Sequence, residues 1–137
     1  MVCFFDTNVL IYAIDGRFPD KQKSAVSLYA QAVRDRSFVI NTQVLIEFYN
    51  ATTKGKQPML MPHEAQAQVT ALARQWVIPT TASMVVSATT YSQRYEMHWF
   101  DALMVQAALS ASATTLYSED MQHGQKFDSL TVVNPFR

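Results

Sequence analysis

Val2-Cys3-Phe4-Phe5-Asp6-Thr7-Asn8-Val9-Leu10-Ile11-Tyr12-Ala13 is the stretch on which the fold turns. Its first four residues are apolar without a break, as in a short strand buried on both faces. The run stops at Asp6-Thr7-Asn8, and Val9 to Ala13 predicts a helix beginning there. A buried strand that ends on a carboxylate and passes into a helix reads as the opening of a parallel α/β sheet. Sheets of that kind place their chemistry just beyond the carboxyl ends of the strands.

Downstream the same alternation recurs. Asp15-Gly16-Arg17 breaks the first helix, and Pro19 fits the first turn of the next, which runs to about Arg36. Ala25, Leu28, Tyr29, Ala32 and Val33 share one face of it. Phe38-Val39-Ile40 is a second buried strand. Thr42 then suits the cap of a helix carrying Val44, Leu45, Phe48 and Tyr49 and ending near Lys54-Gly55-Lys56. Further helices are predicted from Pro62 to about Gln75, from Ala82 to about Glu96 and from Phe100 to Ser112. Strands are predicted at Trp76 to Ile78, Thr114 to Tyr117 and Leu130 to Val133. The alternation predicts an α/β fold with a central, mainly parallel sheet of four to five strands, covered on both sides.

Bulk properties agree with one compact domain over residues 1–137. Hydrophobic residues make up 49% and charged residues 16%, which excludes a disordered chain. Cys3 is the only cysteine, so no intrachain disulfide forms. The apolar run before Asp6 is too short for a signal peptide, and no stretch nears the ~20 apolar residues of a membrane span. The expectation is a cytoplasmic protein with no membrane partner. Basic and acidic residues balance at 11 each. If four acids gather around metal, the other 7 leave a surplus of +4, a mildly basic rim around an acidic pocket.

Four acids carry the chemical signal. Asp6 follows the first strand directly, and Asp120 follows the Thr114–Tyr117 strand by way of Ser118-Glu119. Glu47 and Asp101 lie on helices among apolar neighbours, with Val105 and Ala108 on the face of Asp101 and Asn50 three residues beyond Glu47. Ionised carboxylates among apolar residues are costly, and several converging on one point repel until a cation arrives. A hard divalent ion with oxygen ligands removes both costs. Each acid also has a plainer reading: Asp6 (or Thr7) as a helix cap, Glu47 as a surface residue, Asp120 as a turn acid. Only Asp101, on so apolar a helix, resists one.

Taken together the segments resemble the PIN-domain nucleases, most closely the VapC-type toxins of toxin–antitoxin pairs. The resemblance rests on Phe4-Phe5-Asp6-Thr7-Asn8-Val9-Leu10-Ile11-Tyr12, Val44-Leu45-Ile46-Glu47-Phe48-Tyr49-Asn50, Phe100-Asp101-Ala102-Leu103 and Leu116-Tyr117-Ser118-Glu119-Asp120, in the family's order. It implies a PIN-like three-layer α/β/α sandwich. Asp6, Glu47 and Asp101 match the core metal-site acids and Asp120 the fourth. Thr7 and Ser118 match small hydroxyl positions of the acidic pocket, and Asn8 the polar position after the first acid. Many relatives carry another acid where this chain has Gln122, which implies a second metal held less tightly. Glu119 is expected to face solvent, with substitution for that further acid as the alternative.

The resemblance further implies Mg²⁺, with Mn²⁺ as substitute, hydrolysis of RNA phosphodiester bonds to inhibit translation, a cognate antitoxin and a homodimer. Two neighbouring readings within the family are an RNA-processing nuclease without a toxin role and a non-catalytic binding domain. Haloacid-dehalogenase-like phosphatases require a second Asp where Asn8 stands, and response-regulator receivers require paired acids after the first strand and a late Lys; neither pattern occurs. His63, His98 and His123 are scattered and lack a triad-like partner, with His98 alone placed to support Asp101. Arg17, Lys21, Lys54 and Lys56 are candidates to meet RNA phosphates, against the plain reading of solvated cations. Met59-Leu60-Met61 suits either core or a partner patch.

Overall fold

The computed structural model describes residues 1–137. The chain runs β1 (Cys3–Phe5), α1 (Thr7–Tyr12), α2 (Pro19–Arg34), β2 (Phe38–Asn41), α3 (Thr42–Thr53), α4 (Pro62–Ala73) and β3 (Trp76–Ile78). It continues with α5 (Ala82–Tyr95), α6 (Trp99–Ser110), β4 (Thr115–Tyr117), β5 (Lys126–Phe127) and β6 (Leu130–Val133). The strands form one sheet in the order β3-β2-β1-β4-β6-β5, parallel except for β5 against β6.

That order explains where a site can form. From β1 the chain steps outward through β2 to β3, then returns across the sheet to lay β4 on the other side of β1. Right-handed crossovers put α1 to α4 over one face and α5 and α6 over the other, giving three layers. The reversal lies between β1 and β4, whose register pairs Phe5 with Tyr117, so Asp6 and Ser118 leave the sheet side by side. The Asp6 N–H still donates to the Tyr117 carbonyl at 2.9 Å.

Phe4, Phe5, Val39, Ile40 and Leu116 are buried completely, as the unbroken apolar strands require. Ala25 and Ala32 of α2 are buried, and Leu28, Tyr29 and Val33 pack on the same core. In α6, Ala102 to Val105, Ala107 and Ala108 are all buried, which is why that segment is apolar nearly all round.

Three local expectations are corrected. The sheet has six strands: Asp128-Ser129 closes a two-residue hairpin between β5 and β6 with Asp128 at φ 54°, and no glycine announces it. Asn41, not Thr42, caps α3, its side-chain oxygen accepting from the Val44 N–H at 3.0 Å. The last apolar helix begins at Trp99 because His98 caps it, Nδ1 accepting from the Phe100 N–H at 3.2 Å.

Candidate active site

Asp6 sits at the centre of the switch point. Extended backbone at this residue (φ −68°, ψ 152°) lets its side chain cap α1, Oδ1 accepting from the Thr7 N–H at 2.6 Å. Oδ2 accepts from the Ser118 hydroxyl at 2.7 Å and from the Asn8 amide at 3.3 Å. The helix-cap reading of Asp6 is thus realised, and its second oxygen is tied to the turn after β4. Only 6% of the residue is exposed. Burial pushes its pKa up to about 7, against the hydrogen bond from Ser118; the nearby charge of Asp101 raises it further, the Thr7 N–H opposes, and Glu47 adds to the rise.

Asn8 joins the two strand ends. Its amide also donates to Asp120 Oδ2 at 2.9 Å, and its Oδ1 accepts from the Glu119 N–H at 3.4 Å. The Ser118 oxygen, while donating to Asp6, accepts from the backbone N–H groups of Asp120 and Met121 at 3.2 Å each. The turn after β4 is thereby locked to the first acid.

Glu47 approaches from α3 and Asp101 from the first turn of α6. Gln43, one turn before Glu47 and itself buried, donates to Glu47 Oε1 at 3.0 Å and to the Phe100 carbonyl at 3.2 Å. The Asn41 amide in turn donates to Gln43 Oε1 at 3.3 Å. Burial raises the Glu47 pKa, the Gln43 amide opposes, and the charge of Asp101 adds to the rise. Asp101 is raised by burial, eased by His98 and raised again by Asp120. Asp6 therefore lies in the field of Asp101 and Glu47, Glu47 in that of Asp101, and Asp101 in that of Asp120. As the side chains stand, no three acids, histidines or cysteines close on one point tightly enough to ligate a single ion. What links them is electrostatic and hydrogen-bonded: Asn8 bridges Asp6 and Asp120, and Asp101 acts on both Asp6 and Glu47.

The donor set fits a hard cation: carboxylate oxygens, one of them buried and reluctant to ionise, and a Thr7 hydroxyl oxygen that is buried with no partner. Asp6 is oriented by the backbone N–H of Thr7 and the Ser118 hydroxyl, not by the Thr7 hydroxyl. Asn50 is exposed and lines a recess together with Glu47.

The basic candidates divide. Arg17 makes a two-pronged pair with Asp15, at 2.9 and 2.8 Å, and shares a polar cleft with Lys54. Lys56 is exposed. Lys21 is held by Glu119 Oε2 at 2.5 Å and lies over the rings of Tyr12, Phe18 and Phe136. Glu119 is correspondingly not the free, solvent-facing acid expected, since the Tyr12 hydroxyl donates to its other oxygen at 2.7 Å. Burial opposes its ionisation, but Lys21 and Tyr12 outweigh it and lower the pKa. Gln43 and the Lys21–Tyr12–Glu119 contact were missed in the sequence reading; the four-residue spacing of Gln43 and Glu47 was the one available signal.

Comparison with protein families matches residues 3–126 to the PIN domain. Comparison with curated proteins finds no match. Among solved structures, the chain is similar to a toxin–antitoxin complex from Klebsiella pneumoniae, with a TM-score of 0.70, 21% identity and 97% of each chain covered. VapBC2 from Rickettsia felis, solved with a promoter DNA fragment, gives 0.69 and 20%, covering 96% of this chain and 97% of that one. The sarcin-ricin loop-cleaving toxin VapC20 of Mycobacterium tuberculosis gives 0.68 and 16%, covering 86% and 89%.

Proposed function

This chain belongs to the PIN domain family, and from that premise we propose that it is a Mg²⁺- or Mn²⁺-dependent ribonuclease, the toxin of a toxin–antitoxin pair. One observation supports the catalytic part: carboxylates from four separate segments, Asp6, Glu47, Asp101 and Asp120, are linked in a chain of mutual influence, Asp101 acting on Asp6 and Glu47 and Asp120 acting on Asp101. These four residues would hold the metal. A bound divalent ion supplies Lewis acidity toward the scissile phosphate and makes water a better nucleophile near neutral pH.

The chain's own groups prepare that site. Thr7, Ser118 and Asn8 hold both oxygens of Asp6 in place. Gln43 fixes one oxygen of Glu47 and Asn8 one oxygen of Asp120, leaving the second oxygen of each unclaimed. Such restraint keeps the acids together against their repulsion and lowers the reorganisation needed on binding. Hydrolysis by activated water needs no protein nucleophile.

The toxin role rests on the fold shared with three toxin structures. It carries with it an antitoxin partner and a homodimer in the cytoplasm, residues 1–137 acting as one PIN domain. Exposed Val85 and Val86 on α5 and Trp99 at the start of α6 offer an apolar surface for the dimer. No helix is long and apolar enough to cross a membrane. The test is cleavage of labelled RNA by the purified chain. Wild type should cut in Mg²⁺ and stop in EDTA, and Asp101→Asn should fall to background; undiminished cleavage by that variant defeats the assignment. Induction of the chain alone should arrest growth, and normal growth with abundant active protein removes the toxin role while leaving the enzyme.

A further inference from the structure

A recess of about 440 Å³ lies between α3 and the start of α6, walled by Ile46, Glu47 and Asn50 on one side and Phe100 and Leu103 on the other, with Thr80 at its edge. It is within the ~300–1,000 Å³ of ordinary small-ligand sites. Glu47 lines this recess and also lies in the field of Asp101, so on the ribonuclease reading whatever fills it lies beside the reacting phosphate. We propose that the recess binds one unstacked nucleobase of the RNA, lying against Phe100 and met along its edge by Asn50 and Thr80. The inference rests on the ribonuclease reading and gives it a source of sequence preference.

Three observations choose a base over other groups. First, no cation lines the recess and its one charge is a carboxylate, so a phosphate finds no partner there. A neutral, flat group does. Second, Phe100 is 44% exposed and Ile46 66%, and both line the same recess, so their open apolar surface is contiguous with it. The Phe100 ring is already stacked on Trp99, centroids 4.1 Å apart and 26° between planes, with His98 nearly parallel at 5.5 Å. Its backbone is pinned by Gln43 at 3.2 Å. A ring so held loses little freedom when a base lies against it, which is how single-stranded RNA is commonly gripped. Third, the Asn50 amide and the Thr80 hydroxyl are exposed on the rim. Together they offer donors and acceptors of both kinds to a base edge.

The test measures binding of the full chain to a short fluorescein-labelled single-stranded RNA in Ca²⁺, which limits cleavage, by fluorescence anisotropy. A matched series of RNAs each lacks one nucleobase at a stepped position. Phe100→Ala should weaken binding roughly 10-fold and Phe100→Tyr should restore it. Wild type should lose a similar factor at one base-deleted position, and Phe100→Ala should be indifferent to that deletion. Asn50→Ala should alter which base is preferred there. Equal binding by wild type and Phe100→Ala, with wild type still cutting RNA in Mg²⁺, overturns the base recess and leaves the ribonuclease reading standing. Failure of wild type to cut any RNA overturns that reading and this one with it. A Phe100→Ala protein that changes its mass by light scattering without changing RNA affinity assigns the surface to a second copy of the chain, and overturns the proposal too.

Discussion

At the scale of single residues, Asp6 shows how burial is made useful. Its ordinary carboxyl pKa of 3.8 rises to about 7 in the fold. Between those values the folded chain keeps a proton that the unfolded chain has already released. Metal-free stability therefore falls as pH rises from about 4 to about 7 and then levels off. The loss is on the order of 2–4 kcal/mol, since each pKa unit is worth ~1.4 kcal/mol and neighbouring acids share the effect. Asp6→Asn removes the charge while keeping an oxygen for the Thr7 N–H. In EDTA at pH 8 it should melt several degrees above wild type, and at pH 4 the advantage should vanish. Parallel melting curves across that range would show that the Asp6 carboxylate is not buried as described. The residue was visible in the sequence because an apolar strand ended on it. Gln43 was not, because half of its meaning is a carbonyl 57 residues away.

Among the elements, α3 matters most, since one turn of it links cap, amide and acid. Asn41 accepts from the Val44 N–H and donates to Gln43, which donates to Glu47. Asn41→Ala should cost about 1–2 kcal/mol, the usual worth of a cap made larger by a buried N–H left unpaired. Because Gln43 loses its anchor as well, Mn²⁺ affinity measured by calorimetry should fall several-fold in the same variant. Unchanged affinity with lowered stability would separate the cap from the site and make Asn41 purely structural. Elements were read well from sequence where they were long and periodic, as in α2 with Ala25 and Ala32 inward. They were read poorly where a few backbone bonds decide the outcome. Asn41 and Thr42 are both good caps, and only the backbone angles choose between them. β5 is two residues long and rests on Asp128 in a left-handed conformation that sequence pattern does not announce.

Over the whole molecule, the sheet order brings together acids that are up to 114 positions apart, Asp6 and Asp120 being the extremes, and the fold bears the repulsion that results. A cation that binds only the folded chain returns that free energy by mass action, ~2.7 kcal/mol at a hundredfold excess over its Kd. For a domain of this size the gain amounts to several degrees in Tm. Wild type in Mn²⁺ should accordingly melt higher than wild type in EDTA, whereas Asp6→Asn should respond weakly because one ligand and one charge are gone. The two proteins should then exchange rank: the variant is the more stable without metal, and wild type the more stable with it. That exchange needs both convergence and charge, and neither alone produces it. Acids pointing to separate surfaces would give no advantage to the variant in EDTA, and a neutral pocket would give wild type no gain from Mn²⁺. Differential scanning calorimetry of both proteins in both buffers decides the matter, and curves that keep the same order throughout would mean that the four carboxylates do not form one site.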